Sequence, residues 1–365
     1  MIEKLKTKNF EKSINLGVIG FNRGRTFLEI AADQFENVKP AGICDIDPSK
    51  IEIARKLFAN TPVFSSLDEM LQNTDLDALI VETPANNHTT VCTKALDAGI
   101  HVLCDVPCVD NAAEGTMLYE AVKRSKPIYM SGANPNLRPT TEAMLDLNAR
   151  GIFGKPYYIE TEYVHDIRSL YESSPWRQFY KPIKYCTHSL GPVLELIGEE
   201  FVSVTCLSTG SHVLNRPGQH DVMSALLKTK SNIVVRLLTS FVNNYHFDGT
   251  HMIRIFGTKG SAVIKPVSGE LKISSEDLQF KYATNLFHDL NVEKVLPKYQ
   301  GLPGAQHHGG TDYALLERFF EAIRTGEPSP IPVEKALRMA LPGIFAAESA
   351  DNDGAMTMIK YPWDN

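Results

Sequence analysis

The chain has 365 residues, of which 43% are hydrophobic and 22% charged, and its formal net charge is −6. This ordinary composition excludes disorder as the main state, and the mild acidity offers no general footprint for nucleic acid or an anionic membrane surface. There is no apolar run of about 18 residues, so we expect no membrane-spanning helix. The N-terminal residues lack the apolar segment of a secretory signal, and we expect a cytoplasmic protein whose six cysteines remain reduced thiols.

The first third of the chain alternates short apolar runs with amphipathic segments. The predicted strands are residues 14–20, 38–44, 77–82, 100–104 and 127–130. The predicted helices are residues 26–35, 49–59, 87–98 and 111–124. Because this alternation is typical of βαβ units, residues 1–135 are expected to form a Rossmann domain with a doubly wound parallel sheet.

Beyond residues 134–139 the pattern changes to longer stretches of alternating polarity. The predicted strands are residues 157–165, 202–208, 222–229, 232–241, 251–256 and 261–266, and the predicted helices are residues 140–150, 313–324 and 333–350. Strands linked by hairpins predict a large, mostly antiparallel open sheet with one face free for a ligand or a partner. We therefore expect an α+β domain over residues 136–365, within which residues 267–306 are expected to be rich in loops.

A glycine-rich turn joins the first predicted strand to the first helix. Gly20, Asn22 and Arg25 stand at the three glycine positions of a G-x-G-x-x-G motif, with Phe21 and Arg23 between them. Such a turn brings backbone N–H groups and a helix N-terminus to a dinucleotide pyrophosphate, although a plain strand–turn–helix would look similar.

Asp45 ends the second predicted strand, 25 residues after Gly20. An acid at this place accepts both ribose hydroxyls of NAD and repels a 2′-phosphate. The sequence therefore favours NAD over NADP as the cofactor.

Further polar residues follow the next two strands, at the sheet edge where ligands of such sheets bind. They are Thr83, Pro84, Asn86 and His88 after the predicted strand 77–82, and Asp105 and Val106 after the predicted strand 100–104. We expect them to line the cofactor site, although His88 could equally be a helix-start residue without a ligand.

In the second domain, Tyr163 and His165 lie on one face of a predicted strand, together with Tyr157, Ile159 and Thr161. This polar and aromatic face suits a pocket floor or a subunit interface. Pro192 should exclude a regular helix around His188, so we expect the helix to start near residue 191 and His188 and Tyr185 to lie in its entry turn.

A neutral histidine can take a hydroxyl proton while hydride leaves the same carbon, so His188 is the expected base, assisted by Tyr163 or Tyr185.

Trp176 and Arg177 are a candidate lid, with Arg177 binding cofactor phosphates or substrate oxygens. His308 is expected to bind a sugar hydroxyl. We expect no metal site, since a zinc site would need histidine or cysteine partners at a suitable spacing.

Taken together, these residues resemble the Gfo/Idh/MocA family of oxidoreductases over nearly the whole chain. The parallels are the turn at residues 17–25, Asp45, the Thr83-Pro84 pair with His88, and Asp105-Val106-Pro107, where the family commonly has Glu-Lys-Pro. The resemblance implies a Rossmann domain, an open-sheet substrate domain and a homo-oligomer, dimer or tetramer, formed through that sheet.

Within the family, the chain is similar to the NAD-dependent glycosidase branch. The shared motifs are at residues 163–168, 176–177, 185–192 and 308–313, and that branch also has valine at the position of Val106. Residues 132–138 differ from its acidic Glu-Asn pair, and Tyr245 lies too far upstream to match its second-domain tyrosine. Asn134 is a candidate cofactor ligand in this stretch, and Arg138 and His165 are candidate substrate ligands.

The sequence predicts an NAD-dependent oxidoreductase that moves a hydride between the nicotinamide and a sugar or glycoside. Two alternatives stay open. One is a glycosidase that recycles its NAD and cleaves by transient oxidation at C3 followed by elimination. The other is an NAD-binding regulatory protein without turnover, which the valine in place of the lysine would favour.

Overall fold

The computed structural model describes residues 13–244, 250–276, 288–291 and 308–364. The chain divides into two compact units, the first formed by Met1–Asn134 and Tyr299–Leu337 and the second by Pro135–Lys298 and Arg338–Asn365. Within the described residues, no helix combines the length and the apolar character that crossing a membrane requires.

The first unit contains a six-stranded parallel sheet. Its strands are β1 (Ile14–Ile19), β2 (Val38–Cys44), β3 (Val63–Phe64), β4 (Ala78–Val81), β5 (His101–Cys104) and β6 (Tyr129–Ser131), in the order β3-β2-β1-β4-β5-β6. The helices between them are α1 (Phe21–Gln34), α2 (Pro48–Leu57), α3 (Leu67–Asn73), α4 (Ala85–Asp97) and α5 (Ala112–Arg124). The strand order reverses between β1 and β4, so the carboxyl ends of these two strands flank the crevice in which such sheets bind ligands.

The second unit contains a nine-stranded mixed sheet. Its strands are β7 (Pro156–Val164), β8 (Phe201–Ser208), β9 (Val222–Thr229), β10 (Val234–Ser240), β11 (His251–Gly257), β12 (Gly260–Lys265), β13 (Glu270–Ser275), β14 (His288–Asn291) and β15 (Thr357–Met358). Their order is β14-β13-β12-β11-β7-β10-β9-β8-β15, and the β7–β10 pair is parallel while the other pairs are antiparallel.

Four further α-helices lie in the described chain. Two of them, α6 (Pro139–Ala149) and α7 (Thr187–Ile197), belong to the second unit, α8 (Thr311–Thr325) belongs to the first, and α9 (Val333–Asp351) follows. Phe35 after α1 stacks on Tyr313 with ring centroids 5.2 Å apart, which anchors α8 to the first unit. The predicted Rossmann sheet and the predicted second, mostly antiparallel sheet are both confirmed.

One face of β7 is covered and the other is open. Thr161, on the covered face, donates a hydrogen bond from Oγ1 to the carbonyl of Ser189 on α7 at 3.3 Å. On the opposite face, Glu160 and Glu162 pair with Arg254 and Arg236 at 2.6 and 2.5 Å. The side chains of Thr161 and Tyr163 therefore face a helix, and the surface available to a partner is the charged face opposite.

One local prediction was wrong. Helix α7 begins at Thr187, not near residue 191, and Pro192 lies inside it. A proline inside a helix removes one backbone hydrogen bond and crowds the carbonyl of the residue four positions earlier, and the burial of Leu190, Val193 and Leu196 outweighs this cost. Within residues 267–306, the described part contains the strands β13 and β14, and residues 277–287 and 292–306 lie outside the described residues.

Candidate active site

The turn after β1 requires glycine. Gly20 has φ +88°, and a Cβ there would lie 2.4 Å from the carbonyl oxygen of Glu82. This close approach places the turn directly against the end of β4. Gly20 has no side chain with which to cap α1, so the N–H groups that follow that of Phe21 in the first turn are available to an anionic ligand.

Asp45 lies beside that helix start. Its Oδ2 accepts a hydrogen bond from the backbone N–H of Phe21 at 2.7 Å, and its Oδ1 accepts one from Asp47 at 2.9 Å. The carboxylate is thus held in a fixed orientation at the end of β2, where an acid can meet a ribose.

The residues at this sheet edge fit a polar cofactor. Within the described part of the chain, four buried side-chain oxygens there have no hydrogen-bond partner: Glu82 Oε2, Thr83 Oγ1, Ser131 Oγ and Asn134 Oδ1. Leaving such groups unpaired is costly, and a bound dinucleotide with ribose hydroxyls and a carboxamide could supply their partners. The open helix start, Asp45 and these oxygens together match the chemistry of NAD.

His88 is buried at the start of α4, with both ring nitrogens facing carbonyl oxygens. Nδ1 lies 2.9 Å from the oxygen of Pro107, and Nε2 lies 2.6 Å from the oxygen of Thr83. Burial alone would lower the pKa of His88, but the Cys104 side chain, the charge of Asp105 and the Pro107 carbonyl raise this pKa to about 9. Both nitrogens must therefore donate, and His88 holds the turns after β4 and β5 together.

Arg23 forms a charged cluster with two residues at the start of α8. Its Nη2 donates to Asp312 Oδ1 at 2.7 Å and lies 3.2 Å from Nδ1 of His308, which is itself 3.2 Å from Asp312 Oδ2. Burial opposes the charge of Arg23, but the charge of Asp312 and the hydrogen bond to it raise the pKa of the guanidinium. Asp312 is fully buried, yet its pKa is lowered by the hydrogen bond from His308 and the charge of Arg23.

The same cluster places His308 within the first unit, beside the dinucleotide turn. Arg25, in contrast, points to solvent and pairs with Glu29 on its own helix at 2.7 Å. Asn134 lies in the first unit as well, and its Nδ2 is 3.4 Å from Thr311 Oγ1. Tyr245 lies outside the described residues.

A second cluster lies in the second unit and brings together the three residues predicted to be catalytic. The ring centroid of Tyr163 is 5.5 Å from that of Tyr185 and 5.7 Å from that of His188, and Tyr185 is 5.1 Å from His188. The hydroxyl of Tyr163 lies 3.0 Å from Nδ1 of His165. The strand β7 supplies Tyr163, while the entry to α7 supplies Tyr185 and its first turn supplies His188.

His251 completes this cluster, and the sequence analysis missed it. It pairs with Tyr163 in the β7–β11 register, with ring centroids 4.8 Å apart, and its ring stacks on His188 at 5.8 Å. His251 and His188 line one cavity, whose other lining residues are Pro135, Thr141, Thr161, Glu162, Ser189, Pro192, Ile253 and Pro266. The sequence does place His251 at the start of a predicted strand. The neighbouring residues do not show, however, that this strand pairs with β7.

Arg177 borders the second cluster. Its guanidinium lies 4.7 Å from the ring centroid of Trp176 and 5.5 Å from that of Tyr185. Arg138, in the same unit, is buried and precedes α6. Among the described residues, no group of three or more His, Cys, Asp or Glu side chains is arranged to hold a metal ion.

Comparison with known proteins agrees with this geometry. Residues 14–133 match the model of the Gfo/Idh/MocA oxidoreductase family with an NAD-binding Rossmann fold, and residues 141–263 match the model of its C-terminal domain. An α-N-acetylgalactosaminidase from Shewanella oneidensis is 22% identical over 93% of this chain and 82% of its own length. A glycosyl hydrolase family 109 protein from Solibacter usitatus is 25% identical over 94% of this chain and 86% of its own.

Solved structures show the same fold. Levoglucosan dehydrogenase in complex with NADH and levoglucosan superimposes with a TM-score of 0.81 at 20% identity, covering 96% of this chain and 100% of that one. The two family models together span more than half of the sequence. The chain therefore belongs to the Gfo/Idh/MocA family of oxidoreductases, and its Rossmann domain binds NAD.

Proposed function

We propose that the protein moves a hydride between the nicotinamide of NAD and a hydroxyl-bearing carbon of a sugar or glycoside. The observation that carries this proposal is the cluster of Tyr163, Tyr185, His188 and His251 in one aromatic site of the second unit. The levoglucosan complex of the dehydrogenase with the same fold supports a sugar as the substrate class.

In this proposal the first unit is the NAD-binding domain and the second the substrate domain, as the sequence predicts for residues 1–135 and 136–365. NAD supplies the hydride acceptor. The turn at Gly20–Arg25, Asp45, Thr83 and Asn134 hold the cofactor, and His88 positions the two turns that flank it.

His188 takes the hydroxyl proton, since a neutral imidazole can accept a proton from a substrate hydroxyl. Tyr163 is held by His165 through its hydroxyl, so it is oriented to bind or share the same proton. Arg138 and Arg177 are available for substrate oxygens in the same unit.

The test is single-turnover NADH formation with a panel of sugars and glycosides. His188→Gln should keep NAD affinity but lose at least about 100-fold in the rate of hydride transfer, the usual contribution of a general base. Tyr171→Phe, which changes a tyrosine outside the cluster, is the matched control. An equal loss of NAD affinity and rate in His188→Gln would remove the residue from the catalytic role.

An NAD-recycling glycosidase is the second candidate, because two named relatives are glycoside hydrolases and Val106 stands where the family commonly has lysine. Incubation of the protein with nitrophenyl glycosides and no added cofactor distinguishes the glycosidase from the dehydrogenase. Release of nitrophenol without net NADH would show the glycosidase, and accumulation of NADH would show the dehydrogenase.

We also propose that the protein is a cytoplasmic homo-oligomer assembled through the open face of the second sheet. The six cysteines are free and buried, as expected in a reducing compartment. The open face combines the ion pairs of β7, β10 and β11 with the exposed apolar side chains of Leu226 and Phe256.

A further inference from the structure

A cleft of the second unit, next to the aromatic cluster, contains two polar side chains that the proposed reaction does not use. Gln219 and Asp221 line this cleft and are 7% and 4% exposed. Within the part of the chain that the structure describes, Gln219 Oε1 and Asp221 Oδ1 are buried without a hydrogen-bond partner. A buried acceptor is costly unless a ligand or a water molecule donates to it. The cleft therefore suits a group that donates hydrogen bonds.

Both side chains are held in place by their other polar atoms. Asp221 Oδ2 accepts hydrogen bonds from the backbone N–H of His212 and, at 2.7 Å, from that of Val213. Nε2 of Gln219 donates to the carbonyl of Gln178 at 2.5 Å. Turning either side chain would break these bonds, so the two unpaired oxygens keep their orientation before a ligand binds.

The surroundings of the two oxygens select a neutral hydroxyl as the donor. Arg177 also lines the cleft, so its positive charge opposes a cationic ligand. An anion is opposed by the carboxylate of Asp221 and finds two acceptors where it needs donors. A sugar hydroxyl donates a hydrogen bond without carrying a charge, and it meets both conditions.

The size of the cleft separates the hydroxyl from the rest of the ligand. The interior admits a group about the size of one water molecule, so a sugar ring must rest at the mouth. Phe179 lines the cleft and is 75% exposed. An exposed aromatic ring at this place offers a surface against which the apolar C–H groups of a sugar ring can pack.

The cleft and the aromatic cluster share a wall. Phe241 lines the cleft, and its ring centroid lies 5.8 Å from that of Tyr185 and 6.1 Å from that of Tyr163. The guanidinium of Arg177, on the same wall, lies 5.5 Å from the ring centroid of Tyr185. A sugar at the cluster and a second sugar at the cleft would therefore be neighbours, as the two units of a disaccharide are.

Resting on the proposed function, we propose that this cleft is a second subsite, which binds the sugar unit linked to the one that is oxidised. A hydroxyl of that unit donates to Asp221 Oδ1 or Gln219 Oε1, and its ring packs on Phe179. The substrate class is then a glycosidically linked disaccharide or a longer saccharide, and a free monosaccharide fills only the aromatic cluster.

The test compares dissociation constants by calorimetry in the presence of saturating NADH, so that no sugar is oxidised. The probes are three pairs with a common non-reducing unit: methyl α-glucoside and maltose, methyl β-galactoside and lactose, and methyl α-galactoside and melibiose. In at least one pair the disaccharide should bind about tenfold more tightly than the methyl glycoside, the equivalent of one or two added hydrogen bonds. The absence of such a gain in every pair overturns the inference.

Two variants locate the gain. Asp221→Asn replaces the unpaired acceptor by an NH₂ group, and Phe179→Ala removes the exposed ring without disturbing the core. Each should remove most of the gain for the disaccharide while the methyl glycoside stays within about twofold of its wild-type affinity. Met356→Ala, which changes a 70% exposed residue of the same unit, is the matched control and should keep the gain.

Equal weakening of both members of a pair by Asp221→Asn and Phe179→Ala would exclude the cleft as a separate subsite. The outcome for the proposed function is read independently. A disaccharide that binds with the expected gain but yields neither NADH nor cleavage when NAD⁺ replaces NADH would contradict the proposed function and support the subsite. Formation of NADH from the sugars without any gain for a disaccharide would overturn the subsite alone.

Discussion

Arg23 on α1 donates from Nη2 to Oδ1 of Asp312 on α8 at 2.7 Å, and the aspartate is fully buried. The pair ties the dinucleotide turn to a helix that lies nearly 300 residues later in the chain. Removing one partner leaves an uncompensated buried charge, whereas a solvent-exposed pair is worth little.

We therefore expect Asp312→Asn to lower the free energy of unfolding by about 2–4 kcal/mol, measured by urea denaturation. The matched control is Arg25→Gln, which breaks the exposed pair with Glu29 and should cost less than about 1 kcal/mol. Equal effects of the two substitutions would contradict a special role for the buried pair.

The buried His88 predicts a pH dependence of stability. Its folded pKa of about 9 lies above its ordinary value of 6.5, so the stabilisation is fully present below pH 6.5 and is lost as the pH rises toward 9. A shift of this size corresponds to about 3 kcal/mol.

Unfolding of the wild-type protein and His88→Gln at pH 6 and pH 9.5, which bracket the predicted range, measures this effect. The free energy of unfolding of the wild-type protein exceeds that of His88→Gln at pH 6, and this excess should fall by about 3 kcal/mol at pH 9.5. Cys104 and Asp105 face the ring and are present in both proteins, so their own titration is largely removed by the comparison. A difference that does not change with pH would mean that His88 is neutral when folded.

Gly20→Ala should abolish NAD binding and destabilise the protein. The alanine would have φ +88° and a Cβ at 2.4 Å from the carbonyl of Glu82, so the turn would have to move away from the sheet. Gly99→Ala is the matched control, because φ is +83° but nothing lies within 4 Å of the added Cβ. The control should lose about 1 kcal/mol of stability and keep its NAD affinity, and loss of NAD binding in both variants would contradict this explanation.

Much of the fold could be predicted from the sequence because its strands are short apolar runs and its helices amphipathic. The positions of Gly20 in the turn after β1 and of Asp45 at the end of β2 could be predicted, since they follow a local motif at a fixed spacing. Pro192 misled the prediction of α7, because the packing of its buried neighbours outweighs a local backbone preference. His251 was missed, since its partner Tyr163 comes from a strand whose pairing is fixed only by the tertiary structure.

The open face of the second sheet supplies the last prediction. Leu226 and Phe256 on this face are 51% and 39% exposed, and an apolar surface flanked by charged pairs is typical of a subunit interface. If the face joins two copies of the chain, Leu226→Asp/Phe256→Asp should bury unpaired carboxylates and convert the oligomer to a monomer. Light scattering coupled to gel filtration measures the mass. Met117→Asp, which changes a 55% exposed residue of α5, should leave the mass unchanged, and an unchanged mass in the double variant would exclude this face as the interface.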